Sequence, residues 1–178
     1  MIYYGRHSIN ETDVAAVLEV LNSDYLTQGP AVEQFEGAVL KYCNARYAVA
    51  VNSATSALHL ACLSLGVGAG DKVWTSAITF VSSSNSALYC GADIDFVDIN
   101  HETFNMDVEI LENKLEKAEK EGCLPKVVMP VHLAGQPCDM ASIARLAKKY
   151  NFFVIEDASH ALGAKYQNEP IGACVHSD

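Results

Sequence analysis

The stretch Asn151-Phe152-Phe153-Val154-Ile155-Glu156-Asp157-Ala158-Ser159-His160-Ala161-Leu162-Gly163 decides how this chain is read. A short run of aromatic and β-branched residues ends in two acids, and a histidine follows three positions after the second acid. A helical pattern precedes the run, so residues 152–155 read as a buried parallel strand. Ligands of open α/β sheets sit outside the carboxyl ends of the strands, which carries Asp157 to such a crevice on a rigid element. A carboxylate there can hold a cationic ring nitrogen, or it can be a solvated loop acid or a helix cap.

Outward from this run, helix and strand alternate from residue 45 onward. Helices are expected over 11–22, capped by Asn10 with Val14, Val17, Leu18 and Leu21 on one face, and over 31–43, 55–65, 81–89, 107–121 and 140–150. Strands are expected over 47–51, 72–75, 94–97, 127–131 and 152–155, and residues 25–30 form a turn-rich connection. Five strands separated by helices predict an α/β fold with a mainly parallel sheet and helices on both faces. The chain has 178 residues, half of them hydrophobic, with no repeat and no low-complexity linker, so one domain with a sizeable core is expected.

The net charge of −10, with lysines and arginines scattered apart from Lys148-Lys149, argues against a nucleic-acid groove. Residues 1–7 lack the apolar core of a signal peptide, and nowhere do roughly eighteen apolar residues run together. A soluble cytoplasmic protein without a membrane partner is expected. The cysteines at 43, 62, 90, 123, 138 and 174 form no CxxC pair and read as small core residues in a reducing compartment. His132 and His160 lie near strand ends, but no nearby histidine or cysteine completes a zinc signature, so no metal site is expected.

Between the first expected strand and its helix stands Asn52-Ser53-Ala54-Thr55-Ser56-Ala57-Leu58. Small residues, two hydroxyls and the free N–H groups of a helix start suit a phosphate, although Ser53 or Thr55 can simply cap the helix. The loop Gly66-Val67-Gly68-Ala69-Gly70-Asp71 looks similar but follows a helix and precedes a strand, which marks a helix C-cap and turn. Thr79-Phe80-Val81 ends another strand and can lay a ring over a flat ligand, or Phe80 can be a core residue. Together the cradle, the aromatic plate and the carboxylate describe a pocket for a phosphorylated, planar, nitrogen-containing ring.

At these residues the chain resembles the DegT/DnrJ/EryC1/StrS family of sugar aminotransferases, which use pyridoxal 5′-phosphate and have the aspartate aminotransferase type fold (fold type I). The resemblance runs through Tyr25-Leu26-Thr27-Gln28-Gly29-Pro30, Phe35-Glu36, Asn52 to His59, Gly70 to Val73, Thr79-Phe80, Asp98-Ile99, Pro130 to Gln136 and Glu156-Asp157-Ala158. Ala54-Thr55-Ser56 stands where many members have Gly-Thr-Ala, and His160 where many have glutamine. Both departures look like the branch that makes pseudaminic acid precursors by aminating C4 of a UDP-linked 4-keto-6-deoxy-N-acetylhexosamine, with glutamate as the expected donor.

The resemblance implies that Thr55 and Ser56 hold the cofactor phosphate with Ala54 in the same turn. It also implies that Phe80 stacks on the pyridine ring, that Asp157 pairs with its protonated nitrogen, and that His160 lies near its 3′-oxygen in a supporting role. Tyr25, Thr27 and His132 border the sugar-nucleotide side or a homodimer interface. The family's Schiff-base lysine lies beyond a stretch matching Gly172 to Asp178, and none of the lysines present fits it; Lys165 sits in a polar hairpin-like segment. The chain therefore reads as the N-terminal part of the large domain, with helices over 1–45 and the sheet over 46–178. The small C-terminal domain and lysine segment are expected to be absent, and these residues alone inactive. A related dehydratase, with histidine in place of the lysine, and a non-catalytic cofactor-binding stub are the alternative readings.

Overall fold

Asn10 opens α1 (Glu11–Leu21) with a capping box: its side chain accepts from the N–H groups of Thr12 and Asp13, and Asp13 accepts the Asn10 N–H at 2.8 Å. The structure, a computed structural model, describes residues 6–178, so residues 1–5 of the signal-peptide reading lie outside it. Pro30 stands at the first position of α2 (Pro30–Cys43), where a missing N–H costs nothing, and Asn44 ends the helix in the left-handed region at φ 53°. Helix α3 (Ala54–Ser64) ends in a Schellman turn. Gly66, at φ 67°, donates to the Leu63 carbonyl at 2.9 Å, and Val67 donates to Cys62 at 3.0 Å. The glycine-rich loop that follows is thus the C-cap and turn its context predicts. Lys126 closes it, with Nζ donating to the Gly66 carbonyl at 2.6 Å and pairing with Asp71 at 2.8 Å.

Beyond this loop come β1 (Lys72–Ser76), α4 (Ser82–Tyr89), β2 (Asp93–Val97), α5 (Val108–Glu121) and β3 (Val127–Met129). They are followed by α6 (Met140–Tyr150), β4 (Phe153–Val154) and an antiparallel hairpin of β5 (Lys165–Tyr166) and β6 (Glu169–Pro170). Asp107 and Asp139 cap α5 and α6, while Gly122 and Asn151 end them in left-handed conformations.

Strands β1 to β4 form one parallel sheet in the order β2-β1-β3-β4. Successive strand residues face opposite sides, so Val73, Val127 and Ile155 join Leu58 and Cys62 on one face, with α3 and α4 packed together there. Trp74, Val128 and Val154 join Leu111, Leu115, Ile143 and Leu146 on the other, beneath α5 and α6. Burial on both faces explains why these strands read as continuous apolar runs.

One expected strand does not form. Residues 47–51 carry no strand, and Tyr47 and Val49 are 83% and 79% exposed. No strand among the described residues lies alongside, and Glu36 Oε1 takes the Ala50 N–H at 2.7 Å. Local β propensity is not enough without a pairing edge, so the described sheet has four strands rather than five. Strands β3 and β4 are also shorter than expected, because Pro130 has no N–H for the ladder. The pairing resumes past it as a bridge between Val131 and Asp157, in which Asp157 donates to the Pro130 carbonyl at 3.0 Å and His132 to the Asp157 carbonyl at 3.1 Å. Helix α1 has the expected apolar face, yet Val14, Val17, Leu18 and Leu21 are all exposed.

Leu146→Ala empties a fully buried position between α6 and the sheet. It is expected to lower stability by about 2–5 kcal/mol in urea unfolding; an unchanged midpoint would show that α6 does not share the core.

Candidate functional site

Strand β2 lies to one side of β1, and β3 and β4 lie to the other. Parallel strands put all their carboxyl ends on one edge, and a reversal of strand order opens a crevice there. The structure has a cleft of about 650 Å³ at this place. Ala54 and Thr55 line it from the start of α3, Thr79 and Phe80 from the loop after β1, and Val131 and Leu133 from beyond β3. Asp157, Ser159 and His160 line it after β4. Five residues singled out in the sequence, Ala54, Thr55, Phe80, Asp157 and His160, therefore border one space.

At the α3 end of the cleft the capping reading holds. Ser53 caps the helix, its Oγ accepting the Ser56 N–H at 3.2 Å. The nearby ladder bond runs from the Ala57 N–H to the Ser53 carbonyl, so the N–H groups of Ala54 and Thr55 precede it at the positive end of the helix. Ser56 is not among the residues lining the cleft, since its hydroxyl bonds Asn52 Oδ1 at 2.9 Å and lies 3.0 Å from Ser53 Oγ. Phe80 is 72% exposed, which excludes the core reading and leaves its ring available at the cleft wall.

Asp157 is only 4% exposed, so it is not a solvated loop acid. Its Oδ1 accepts from the Ser159 N–H at 3.2 Å and hydroxyl at 2.6 Å, an Asx-type turn. Its Oδ2 accepts from Ser83 Oγ at 2.8 Å, and Ser83 Oγ lies 2.7 Å from Thr79 Oγ1. Among the described residues no cation pairs with Asp157. A carboxylate taken out of water without a counterion suits a cationic partner. Ser83 escaped the sequence reading because the Ser-rich start of α4 carries no pattern beyond helix; Ser159 escaped it too, although its place two residues after an aspartate is the spacing of an Asx turn.

His160 also lines the cleft, its Nδ1 accepting the Ala134 N–H at 3.4 Å, which leaves Nε2 as the N–H of the ring. Gly135 makes this approach possible: at φ 86°, a Cβ there would lie 3.0 Å from the His160 carbonyl oxygen.

His132, expected beside a substrate, is fully buried and does not line the cleft. Its Nδ1 accepts the Cys138 N–H at 3.1 Å, and its Nε2 meets Glu156 Oε2 at 3.0 Å. Glu156 and Asp157 are neighbours on an extended backbone, so the His132–Glu156 pair lies on the face opposite the cleft. Burial pushes Cys138 up to about 12, so it stays a thiol and donates to the Val131 carbonyl at 3.2 Å. Tyr25 and Thr27 are exposed and line no part of this cleft, and Lys165 is an exposed residue of the β5–β6 hairpin. No lysine is among the lining residues. Among the described residues no group of His, Cys, Asp and Glu is placed to hold a metal ion, and no helix is long and apolar enough to cross a membrane.

Burial drives the Glu156 carboxyl up, but hydrogen bonds from His132 and Ser177 outweigh it and hold the group below its ordinary 4.5. A lowered folded value contributes stability that is present above pH 4.5 and is lost as pH falls through the lowered value. Glu156→Gln should therefore unfold more easily in urea than wild type at pH 7, with the gap closing in acid; a gap independent of pH would show that the charge of Glu156 is not what stabilises this face.

The pattern of the DegT/DnrJ/EryC1/StrS aminotransferase family matches residues 7–177. The UDP-4-amino-4-deoxy-L-arabinose–oxoglutarate aminotransferase of Shewanella sediminis is 39% identical over 167 residues, 94% of this chain and 42% of that protein. GDP-perosamine synthase of Caulobacter vibrioides is 40% identical over 165 residues, 92% of this chain and 42% of its own length. The solved structure of Helicobacter pylori PseC, an aminotransferase involved in pseudoaminic acid biosynthesis, aligns with a TM-score of 0.86 at 33% identity, covering 95% of this chain and 44% of that one. The chain thus spans less than half the length of these relatives. A match from residue 7 to residue 177, on a fold that aligns with the family's solved members, means that this chain belongs to the DegT/DnrJ/EryC1/StrS aminotransferase family.

Proposed function

We propose that this chain provides the N-terminal, cofactor-binding part of the large domain of a sugar aminotransferase that uses pyridoxal 5′-phosphate. The observation that carries this reading is Asp157, a buried carboxylate at the cleft that three neutral donor groups hold and that no cation among the described residues neutralises. Such a group fits a protonated ring nitrogen. Thr55 with Ala54, at the start of α3, would hold the phosphate, and Ser56 would support that turn from behind. Phe80 would cover one face of the ring, and the His160 Nε2–H would meet its 3′-oxygen. When bound, the cofactor supplies a cationic ring that withdraws electrons from the amino-bearing carbon. Asp157 keeps that ring protonated, Phe80 and Val131 exclude water from its neighbourhood, and the start of α3 orients the phosphate.

The amino acceptor in this reading is C4 of a UDP-linked 4-keto-6-deoxy-N-acetylhexosamine, the amino donor is glutamate, and the product leads to pseudaminic acid. His160 and Ala54, the two departures from the commoner family pattern, support that branch, as does the likeness to the Helicobacter pylori enzyme. Tyr25 and Thr27 would meet the sugar nucleotide or a second subunit of a homodimer; their exposure agrees with either contact. His132 has no part in substrate contact here.

In the enzyme carrying this chain, Asp157→Asn keeps the shape and removes the charge. It is expected to lower kcat by about 100- to 1000-fold while the fold persists, the scale of losing one preorganised electrostatic contact. Assays with glutamate, pyridoxal phosphate and either a UDP-linked or a GDP-linked 4-keto-6-deoxy sugar, read by mass spectrometry, test the substrate. Amino sugar from the UDP substrate alone supports the proposal, and product only from the GDP substrate overturns it.

A further inference from the structure

We propose that Ser83, oriented by Thr79, is a positioning residue that keeps the Asp157 carboxylate aimed at a protonated ring nitrogen; this rests on reading the cleft as a pyridoxal phosphate site. Ser83 is fully buried, and its Oγ lies 2.8 Å from Asp157 Oδ2. An ionised carboxylate can only accept, so the single hydroxyl proton of Ser83 is committed to Asp157. At the 2.7 Å contact with Thr79, Ser83 Oγ must then accept, and Thr79 Oγ1 donates. The other acceptor available to Thr79, the Phe80 carbonyl, is farther away at 3.3 Å. The two hydroxyls therefore form a chain running in one direction, Thr79 to Ser83 to Asp157, in which each bond polarises the next.

This chain has two effects on the site. Ser159 holds Oδ1 and Ser83 holds Oδ2, so the carboxylate cannot rotate about its terminal bond without breaking a hydrogen bond. Thr79 immediately precedes Phe80, so the same chain ties the loop bearing the aromatic ring to the segment after β4, which bears the acid. The spacing between ring face and ring nitrogen is thereby set by side chains that do not themselves meet the nitrogen. Ser83 lies in the first turn of α4, where alanine is a good helix former, so Ser83→Ala removes the donor with little demand on the backbone.

The test uses the holoprotein loaded with pyridoxal phosphate labelled with nitrogen-15 in the ring, whose chemical shift reports protonation of that nitrogen across pH. Without Ser83 the carboxylate is free to turn from the ring nitrogen and its pairing weakens, so Ser83→Ala is expected to move the ring-nitrogen titration down by about one pH unit. Ser83→Thr, which keeps the hydroxyl, is expected to restore it, and Thr79→Val to give a smaller shift in the same direction. The melting temperatures of the cofactor-free variants serve as the control for folding. A wild-type titration curve in Ser83→Ala overturns the positioning role, as does an unshifted curve in Thr79→Val should Ser83→Ala not fold. A shift that Ser83→Thr fails to reverse overturns it too, because the effect then comes from packing and not from the hydroxyl. Asp157→Ala separates the underlying reading: if its ring nitrogen titrates as in wild type, or if wild type takes up no cofactor, the cofactor site itself is misassigned and this proposal falls with it.

Discussion

Taking the Asp157 carboxylate out of water costs several kcal/mol unless other groups replace its hydration, and much of the local architecture does that. The Asx turn at Ser159 brings two donors to one oxygen, and the first turn of α4 brings Ser83 to the other. All three are neutral, so the negative charge is solvated but not cancelled. A salt bridge to lysine or arginine would have stabilised the fold as well and left nothing for a ligand. The site thus holds a stored preference for a cation, which the stability of the surrounding sheet sustains.

The two faces of the sheet divide the work. Beneath α3 and α4 the apolar layer stops short of the carboxyl edge and yields to the cleft. Beneath α5 and α6 the same edge is closed by His132 and Glu156, with Cys138 and Ser177 as further partners. This second polar cluster is internally satisfied, which is the condition under which buried polar groups stiffen a core instead of weakening it. It lies directly behind Asp157 on the same strand, so the rigidity of one face supports the geometry of the other.

How far the sequence could be read depended on whether a signal was local. Asn10, Asp107 and Asp139 cap helices because their side chains reach N–H groups two or three residues away, and Gly66 ends α3 through its own backbone; such features are visible in a short window. The convergence of Thr55, Phe80, Asp157 and His160 was also legible, because parallel topology sends all strand ends to one edge. Residues 47–51 were misread as a sheet strand because pairing depends on a neighbour and not on the run itself. His132 was misplaced because its partner, Glu156, is 24 positions away and no pattern links the two. Ser83 was invisible for the same reason at a distance of 74 positions.

The adjacency of Glu156 and Asp157 makes the lining of the cleft sensitive to counting. One acid serves the interior and the other the cleft only because alternate residues of the extended run that continues from β4 to the Val131–Asp157 bridge point to opposite sides. The ladder bonds of Phe153 to the Lys126 carbonyl and Ile155 to the Val128 carbonyl decide which is which. A slip of one residue would turn Glu156 toward the cleft face and Asp157 toward the interior face, and at most one of the two places would then still hold an acid. The junction between α6 and β4, a single turn at Asn151, should therefore accept changes of residue type far more readily than a gain or loss of one residue.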